Sequence, residues 1–293
     1  MLRTLEDAAV QGAFPRRCAA FRHDVVDRPE LTLAALSALV DRVPGRWVSA
    51  RRAQRDPREG RGLAPLLLGQ AFADVVRDIA DADASVRIHH TERTSEWRDL
   101  ASEIEMAVRE FVGDREGGVD SVNLGVFVAS PGSVTPAHPD RHHNLLLQIA
   151  GAKAIWLEDD ADAHRHHLRV LDYFEKPNAG VTELPPARAL EMTVGDAVYI
   201  PPYAFHWTEV LDRPSVALSV GFSTRASVAR AEICDFDRRL RRRGLRSRPT
   251  PPFSLSGRAK AVLERAARER STRARTSRVT VAEFPDAEPG AQS

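Results

Sequence analysis

The hydrophobic period of this chain changes at Gly117-Gly118. Before this point apolar residues recur at helical spacing, whereas over 119–129 (VDSVNLGVFVA) β-branched residues nearly alternate with others, as in a strand. Short strands separated by Pro/Gly turns, without long helices between them, predict an antiparallel double sheet of the jelly-roll kind. We therefore expect a mainly β fold with a double-stranded β-helix as its core. The further strand signals lie at 144–149, 153–157, 190–193, 197–200, 205–211 and 215–222.

Helical patterns flank this β region. Apolar residues recur at intervals of three and four over 31–43, 66–79 and 95–112, which predicts amphipathic helices, and the pattern becomes helical again after Thr224. The end of the chain is rich in Arg, Thr, Ser, Glu and Pro, a composition typical of disorder. The predicted organisation is a helical N-terminal region over 1–118 packing on a barrel over 119–224, C-terminal helices over 225–270 and a disordered tail over 271–293.

Length and composition exclude several classes of protein. A chain of 293 residues with 43% hydrophobic residues can bury a core without a disulfide or metal to hold it together. Two cysteines, Cys18 and Cys234, exclude a disulfide framework and favour a reducing compartment. The N-terminus lacks the apolar segment of a signal peptide, and the apolar-rich stretch 31–40 is too short to span a bilayer. We therefore expect a cytoplasmic location and no membrane partner.

The formal net charge of +1 conceals an uneven distribution. Residues 237–278 hold 15 Lys and Arg against 3 acidic residues, whereas residues 1–236 hold 27 against 35. A nucleic-acid partner is therefore possible only for the basic arm over 238–278, which begins with the arginine-rich segment 238–248. That segment has no interleaved aromatic residues for base stacking, so we favour a structural role or a homodimer formed through the C-terminal helices.

A histidine and a carboxylate two residues apart carry the chemical signal. His138 and Asp140 lie in a strand-like segment, where this spacing points both side chains to one face. His206, which re-enters a strand after Pro201-Pro202, is the best candidate for a third metal ligand. Two histidines and one carboxylate with open positions opposite are typical of non-haem Fe(II) oxygenases, whereas a structural zinc site favours cysteines.

The same residues resemble a known family. The segment TPAHPD over 135–140, then Asn144, then Lys153, then IPP with HW over 200–207 is similar to the JmjC/cupin-like hydroxylases, which depend on Fe(II) and 2-oxoglutarate. The likeness covers about 119–224 and is greatest to bacterial cupin-like proteins and the asparaginyl-hydroxylase branch. It implies iron ligation by His138, Asp140 and His206. It also implies that Thr135 and Lys153 bind the distal carboxylate of 2-oxoglutarate, with Asn144 beside it.

Physical chemistry supports part of this assignment. Lys153 is one of three lysines and lies in an apolar strand, and an inward ammonium is unfavourable there unless an anion meets it. The alternatives are an outward-facing Lys153 and a turn or cap role for Asn144. At one position this chain differs from the asparaginyl-hydroxylase branch. That branch often has a polar amide fifteen residues after the histidine that corresponds to His206, and this chain has Gly221 there.

The predicted function is an oxygenase that hydroxylates a protein or peptide side chain or a small molecule. Two alternatives stay open, namely a catalytically idle cupin that binds a ligand or regulates a partner, and a nucleic-acid-associated protein that uses the basic arm. Substrate contacts are expected in 46–62 and 158–189, where loops vary in such barrels. Less specific signals are three aromatic residues, a histidine pair and a histidine-rich run. Tyr203, Phe205 and Trp207 would line the mouth or belong to the barrel core, and we favour the core for Phe205. The pair His142-His143 is expected in a solvated turn, and the HRHH run over 164–167 in a polar loop, with an accessory metal site as the alternative.

Overall fold

The computed structural model describes residue 5 and residues 7–60, 71–159, 163–176 and 179–282, with side chains except at 163–164 and 271–282. Contacts divide the chain into two compact units, Met1–Val228 and Ala229–Ser293. Among the described residues, no helix has the length and apolarity that crossing a membrane would require.

The strands follow the alternation that the sequence shows. In chain order they are β1 (Ala19–Arg22), β2 (Val48–Arg52), β3 (Ala84–His89), β4 (Val119–Ala129), β5 (Val134–Pro139), β6 (His143–Ala150), β7 (Lys153–Glu158), β8 (Ala187–Met192), β9 (Asp196–Ile200), β10 (Phe205–Val210) and β11 (Ser215–Thr224).

The α-helices lie before, within and after the β region. They are α1 (Ala8–Ala13), α2 (Leu33–Val40), α3 (Phe72–Arg77), α4 (Arg98–Val112), α5 (Ala163–Glu175), α6 (Arg225–Arg241) and α7 (Leu255–Ala282). Thr32 caps α2 by accepting a hydrogen bond from the Ala35 amide at 3.2 Å. The α4 helix ends at Gly113, whose φ of 54° favours glycine.

Two antiparallel sheets form the body of the first unit. The larger sheet has the order β1-β9-β6-β11-β4-β3-β2 and the smaller has β5-β10-β7-β8. Apolar side chains of both sheets pack together between them, such as Leu146 and Val198 with Ile155 and Leu157. The predicted jelly-roll double sheet is therefore confirmed.

The larger sheet is buried on both faces. On β6, Leu145 and Leu147 belong to the cluster that includes Leu100 and Ile104 of α4, while the intervening Leu146 points between the sheets. This arrangement explains why β6 is buried at seven of its eight positions rather than only at alternate residues. The helices thus cover one face and leave the other for the site.

The N-terminal region differs from the sequence prediction. Residues 1–118 contain helices, but they also contribute β1, β2 and β3 to the larger sheet. The missed strands have four to six residues and carry Arg, Ser and His on one face, so that their alternation is short and polar. Of the predicted helix over 66–79, the part before residue 71 lies outside the described residues, and the rest contains α3.

The second unit also differs at its end. The predicted disordered tail from 271 is wrong as far as Ala282, because α7 continues to that residue, whereas 283–293 lie outside the described residues. Ion pairs join α6 to α7. They connect Arg239 with Glu264, Arg265 with Glu232, Arg268 with Asp235, and Lys260 with Asp237, and a further pair within α7 joins Arg268 with Glu264.

Part of the basic arm is therefore neutralised within its own unit. This pairing is consistent with the structural role that the sequence analysis favoured over nucleic-acid binding. The homodimer stays a prediction.

Candidate metal centre and cosubstrate pocket

Pairing of β5 with β10 brings two distant histidines together. His138 and His206 are direct Cα partners in this pair, and their ring centroids lie 4.2 Å apart. Asp140 follows the end of β5, and its Oδ2 lies 3.8 Å from the Nε2 atom of each histidine. Among the residues whose side chains are described, these three form the one group of three or more potential metal ligands, with ligand atoms within 4.8 Å of one another.

Backbone carbonyls orient both imidazole rings. The Nδ1 atom of His138 lies 2.7 Å from the Pro136 carbonyl oxygen, and that of His206 lies 3.0 Å from the Ala204 carbonyl oxygen. An N–H at Nδ1 donates to each carbonyl and leaves the Nε2 lone pair free of a proton. Both Nε2 atoms are therefore prepared as metal ligands on the side that faces Asp140.

The position of Asp140 depends on the turn before β10. The Tyr203 amide donates a hydrogen bond to the Asp140 carbonyl oxygen at 2.7 Å. Tyr203 has a φ of 70°, a left-handed conformation that is unusual for a residue with a side chain. Its ring packs edge-to-face on Phe174 at 5.9 Å. This contact with α5 helps to hold the strained turn against the acidic ligand.

The candidate ligands open into a cavity between the sheets. Lys153 lies on its wall and is only 5% exposed, and burial lowers the pKa of its ammonium to about 8. The inward orientation is therefore observed, and the outward alternative for Lys153 is wrong. The remaining residues lining the cavity are Ser85, Arg87, Phe127, Ala129, Thr135, His138, Asp140, Asn144, Leu146, His206, Thr208, Val210 and Ser219.

The other two predicted cosubstrate residues line the same cavity. Thr135 lies on β5, three residues before His138, and Asn144 lies on β6. The Asn144 side-chain oxygen accepts a hydrogen bond from the Ser219 hydroxyl at 3.0 Å. Asn144 is buried inside a strand, so the alternative of a turn or cap role is wrong.

Gly221 has a steric explanation. A Cβ at this position would lie 2.7 Å from the Asn123 side-chain oxygen and 3.1 Å from the His142 ring, so a larger residue would displace one of them. Asn123 is the direct partner of Gly221 on β4. The side-chain amide of Asn123 therefore occupies the space that the side chain of a larger residue at position 221 would need.

The aromatic residues near the mouth do not all line it. Trp207 stacks on Trp156 with a centroid distance of 5.9 Å, and both lie on the face of the smaller sheet opposite to His206. Phe205 is fully buried and packs edge-to-face on Tyr173 of α5 at 5.7 Å. The mouth role is wrong for Trp207, whereas Phe205 is buried as the sequence analysis favoured, because strand alternation places both on the other face from the candidate ligand between them.

The remaining histidine predictions also change. His143 is fully buried rather than in a solvated turn, with Nδ1 2.8 Å from the Tyr199 hydroxyl and its ring stacked on Phe222. The HRHH run belongs to α5 rather than to a polar loop, and His166 lies 3.0 Å from Glu158. Glu158 also binds Arg169 and the Phe205 amide, so this pair connects α5 to the start of β10.

Sequence reasoning missed Arg87, Phe127, Thr208 and Ser219 in the cavity. The Arg87 guanidinium lies over the Phe127 ring, 4.7 Å from its centroid. Of these four residues, only Thr208 could have been found from its spacing in the sequence, because it lies two residues after His206 on the same strand face. The others come from strands whose place beside the site depends on the sheet order.

Comparisons with known proteins agree with this architecture. A model of the cupin-like domain matches residues 68–227, which is more than half of the chain. The chain therefore belongs to the cupin-like domain family, which confirms the JmjC/cupin-like resemblance.

A curated relative is the lysine-specific demethylase JMJ30 of Arabidopsis thaliana. It is 32% identical over 117 residues, covering 36% of this chain and 27% of that protein, so this chain spans about a quarter of the relative's length. Among solved structures, the Escherichia coli ribosomal oxygenase YcfD matches with a TM-score of 0.48 at 15% identity, over 86% of this chain and 63% of that one. The structure of that protein in complex with cobalt and 2-oxoglutarate matches with a TM-score of 0.46 at 14% identity, again over 86% of this chain and 63% of that one.

Proposed function

We propose that this protein is an Fe(II)- and 2-oxoglutarate-dependent oxygenase that hydroxylates a substrate side chain. The observation that carries the proposal is the convergence of His138, Asp140 and His206 at the wall of a cavity that also holds a buried lysine. Two histidines and one carboxylate are the donor set that non-haem Fe(II) oxygenases use. A barrel that only binds a neutral ligand has no need for this set together with Lys153.

The buried ammonium of Lys153 indicates whether a dicarboxylate such as 2-oxoglutarate suits this cavity. Burial lowers the pKa of Lys153, which means that the ammonium is unfavourable in the cavity unless an anion accompanies it. A carboxylate next to it would restore the charged form and satisfy its donors. The Thr135 hydroxyl lines the same wall, so these two residues would bind the distal carboxylate while Asn144 lies beside the cosubstrate.

Each ligand side chain has a defined task in this proposal. His138 and His206 present Nε2, and their Nδ1 hydrogen bonds prevent the rings from turning away. Asp140 supplies the negative ligand and is fixed through its own backbone by Tyr203. When bound, Fe(II) and 2-oxoglutarate supply the oxidising chemistry with O2, and the cosubstrate leaves as succinate and CO2. The protein contributes geometry and a cavity shielded from water.

A protein or peptide is the favoured substrate class. The curated relative is named as a demethylase specific for lysine, which is a side chain of a protein. The similarity covers only part of that relative, so its substrate is not transferred to this chain. Substrate contacts from 46–62 and 158–189 stay proposals, as does the division into an N-terminal region, a barrel and C-terminal helices.

Anaerobic titration with Fe(II) and 2-oxoglutarate tests the proposal. We expect a metal-to-ligand charge-transfer band in the wild-type protein and its loss in His138→Ala and in Asp140→Ala. His90→Gln is the matched control, because this half-exposed histidine does not line the cavity. Absence of the band in a folded wild-type protein would contradict the proposal, and its persistence in His138→Ala would contradict the ligand assignment.

A further inference from the structure

A second large groove of the first unit lies apart from the metal cavity. Its volume is about 710 Å³, within the range usual for small-molecule sites, and the described residues that line it do not overlap with those of the metal cavity. Its walls come from α1 and the turn after it, from β1, from the end of β7, from β8 and from the turn before β10. Half of its described lining residues are alanine or proline, and these small side chains leave the space open.

Three arginine side chains line this groove. Arg16 and Arg17 follow α1, and Arg188 lies on β8, the edge strand of the smaller sheet. All three residues are exposed. The Arg188 Nη2 atom donates a hydrogen bond to the Cys18 carbonyl oxygen at 2.9 Å, which fixes this guanidinium against the groove wall.

The other two guanidinium groups have a fixed backbone and no bonding partner. The amides of Arg16 and Arg17 both donate to the Ala13 carbonyl oxygen, at 2.8 and 2.9 Å. Within the part of the chain that the structure describes, neither guanidinium forms a hydrogen bond or an ion pair. Both charges are therefore available to a ligand in the groove.

The negative groups of the groove do not balance these arginines. Glu158 is already paired, because its carboxylate lies 2.6 Å from the Arg169 guanidinium and 3.0 Å from His166 Nδ1. Burial raises the pKa of the Cys18 thiol to about 12, so the thiol is uncharged at neutral pH. Exposed Asp159 is left as a single negative charge against three guanidinium groups among the described lining residues.

We propose that this groove binds a small polyanion through Arg16, Arg17 and Arg188, at a site separate from the metal cavity. The ligand class is a compact molecule with two or more negative charges on carboxylate or phosphate groups. Guanidinium groups present paired N–H donors in a planar fork that matches the oxygens of both groups. Such binding requires neither a metal ion nor 2-oxoglutarate.

A small anion fits the groove better than a nucleic acid does. Binding to single-stranded nucleic acid combines cations with aromatic side chains on which bases stack. The described residues that line the groove include no aromatic side chain. The groove therefore offers charge but no stacking surface.

An NMR titration of the arginine Nε–H groups tests the proposal. The probes are inorganic phosphate, the tricarboxylate tricarballylate and the diamine putrescine, each added to the full chain at constant ionic strength. The two anions show which oxyanion the groove prefers, and the diamine tests whether the carboxylates dominate the groove instead. The cross-peak of each arginine is assigned by its loss in the corresponding Arg→Gln variant. The titrations are repeated in Lys153→Met, because Lys153 would also attract an anion into the metal cavity.

We expect saturable shifts of Arg16, Arg17 and Arg188 that share one dissociation constant for at least one of the two anions, in the wild type and in Lys153→Met alike. Arg16→Gln should weaken binding about fivefold or more, and Arg17→Gln should do the same. Arg213→Gln is the matched control, because this exposed arginine of the β10–β11 turn does not line the groove, and it should change the affinity less than about twofold. A melting temperature equal to that of the wild type shows that each variant is folded.

Two further changes test the sign of the charge. Asp159→Asn should tighten anion binding about twofold or more, because it removes a negative charge from the groove. The affinity should also fall as the salt concentration rises, since the arginines are exposed.

Several outcomes would overturn the proposal. Unsaturated shifts that Arg213 shares would indicate non-specific ion binding, and loss of binding in Lys153→Met would place the anion in the metal cavity. Tighter binding of putrescine than of either anion would show that the carboxylates dominate. Weaker binding in Asp159→Asn would contradict the ligand class, because it would indicate a ligand that also carries an ammonium group.

Discussion

His138 and His206 are direct partners on β5 and β10, and Asp140 is equidistant from their two Nε2 atoms at 3.8 Å. The smaller sheet therefore holds two ligands from segments that are 68 residues apart in sequence. Because each ring is also fixed at Nδ1 by a carbonyl two residues before it, the centre is built largely from local backbone geometry.

Metal should stabilise the protein through this centre. At a metal concentration 100 times the dissociation constant, binding to the folded state alone adds about 2.7 kcal/mol to the free energy of unfolding. We expect divalent metal to raise the melting temperature of the wild type but not of Asp140→Asn, which lacks the anionic ligand. Differential scanning calorimetry with and without metal measures this. An equal shift in both proteins would place the metal elsewhere.

Lys153→Met should stabilise the cosubstrate-free protein at pH 7. The pKa of Lys153 is lowered from 10.5 to about 8, which corresponds to about 3 kcal/mol of unfavourable burial of the charged form. Since the folded-state pKa is lower than the unfolded-state value, the unfolded state binds more protons between about pH 8 and pH 10.5. Wild-type stability should therefore rise with pH across that window, and the advantage of Lys153→Met should disappear. Chemical denaturation at pH 7 and pH 10 distinguishes these cases.

Binding of 2-oxoglutarate should have the opposite pH dependence. Its distal carboxylate requires the charged form of Lys153, so the dissociation constant should rise above about pH 8, by up to about tenfold per pH unit. Lys153→Met should bind the cosubstrate about 30-fold or more weakly at pH 7, because it lacks the buried charge partner. Calorimetric titration across pH measures both effects. A pH-independent affinity in the wild type would argue against contact between this lysine and the cosubstrate.

Gly151→Ala should destabilise the β6–β7 turn. Gly151 has a φ of 68°, and a Cβ there would lie 2.1 Å from the Pro214 carbonyl oxygen, so the backbone of the β10–β11 connection would have to move. We expect a loss of about 2 kcal/mol or more in the free energy of unfolding. Urea denaturation measures this loss. Gly12→Ala is the matched control, because a Cβ at Gly12 meets no atom within 4 Å.

Lys260→Met should destabilise the second unit. The Asp237 side chain is fully buried, and its Oδ1 lies 2.8 Å from the Lys260 Nζ atom. Loss of one partner from a buried ion pair is unfavourable by about 3–5 kcal/mol. The double variant Asp237→Asn/Lys260→Met should recover part of the loss. Hydrogen exchange in α6 and α7 localises the effect, and unchanged protection in Lys260→Met would contradict it.

Most strands after residue 118 and the candidate ligands could be predicted from sequence because their signals are local. Alternation in β4 and β7, the Pro/Gly turns and the spacing of His138 and Asp140 depend on neighbouring residues only. The same locality explains the errors. Trp207 was expected at the mouth from its proximity to His206, although neighbouring strand residues point to opposite faces. His143 was expected in a turn, but it is buried against Tyr199 and Phe222.

By itself, the sequence determined the jelly-roll class and the three candidate metal ligands, because each follows from the period and chemistry of a short segment, but it left the orientation of Lys153 open. Only the tertiary structure decided the inward orientation of Lys153 and that β2 and β3 extend the larger sheet, and hence that Ser85 and Arg87 line the cavity. Strand order is set by contacts between residues far apart in the chain, which no local pattern encodes.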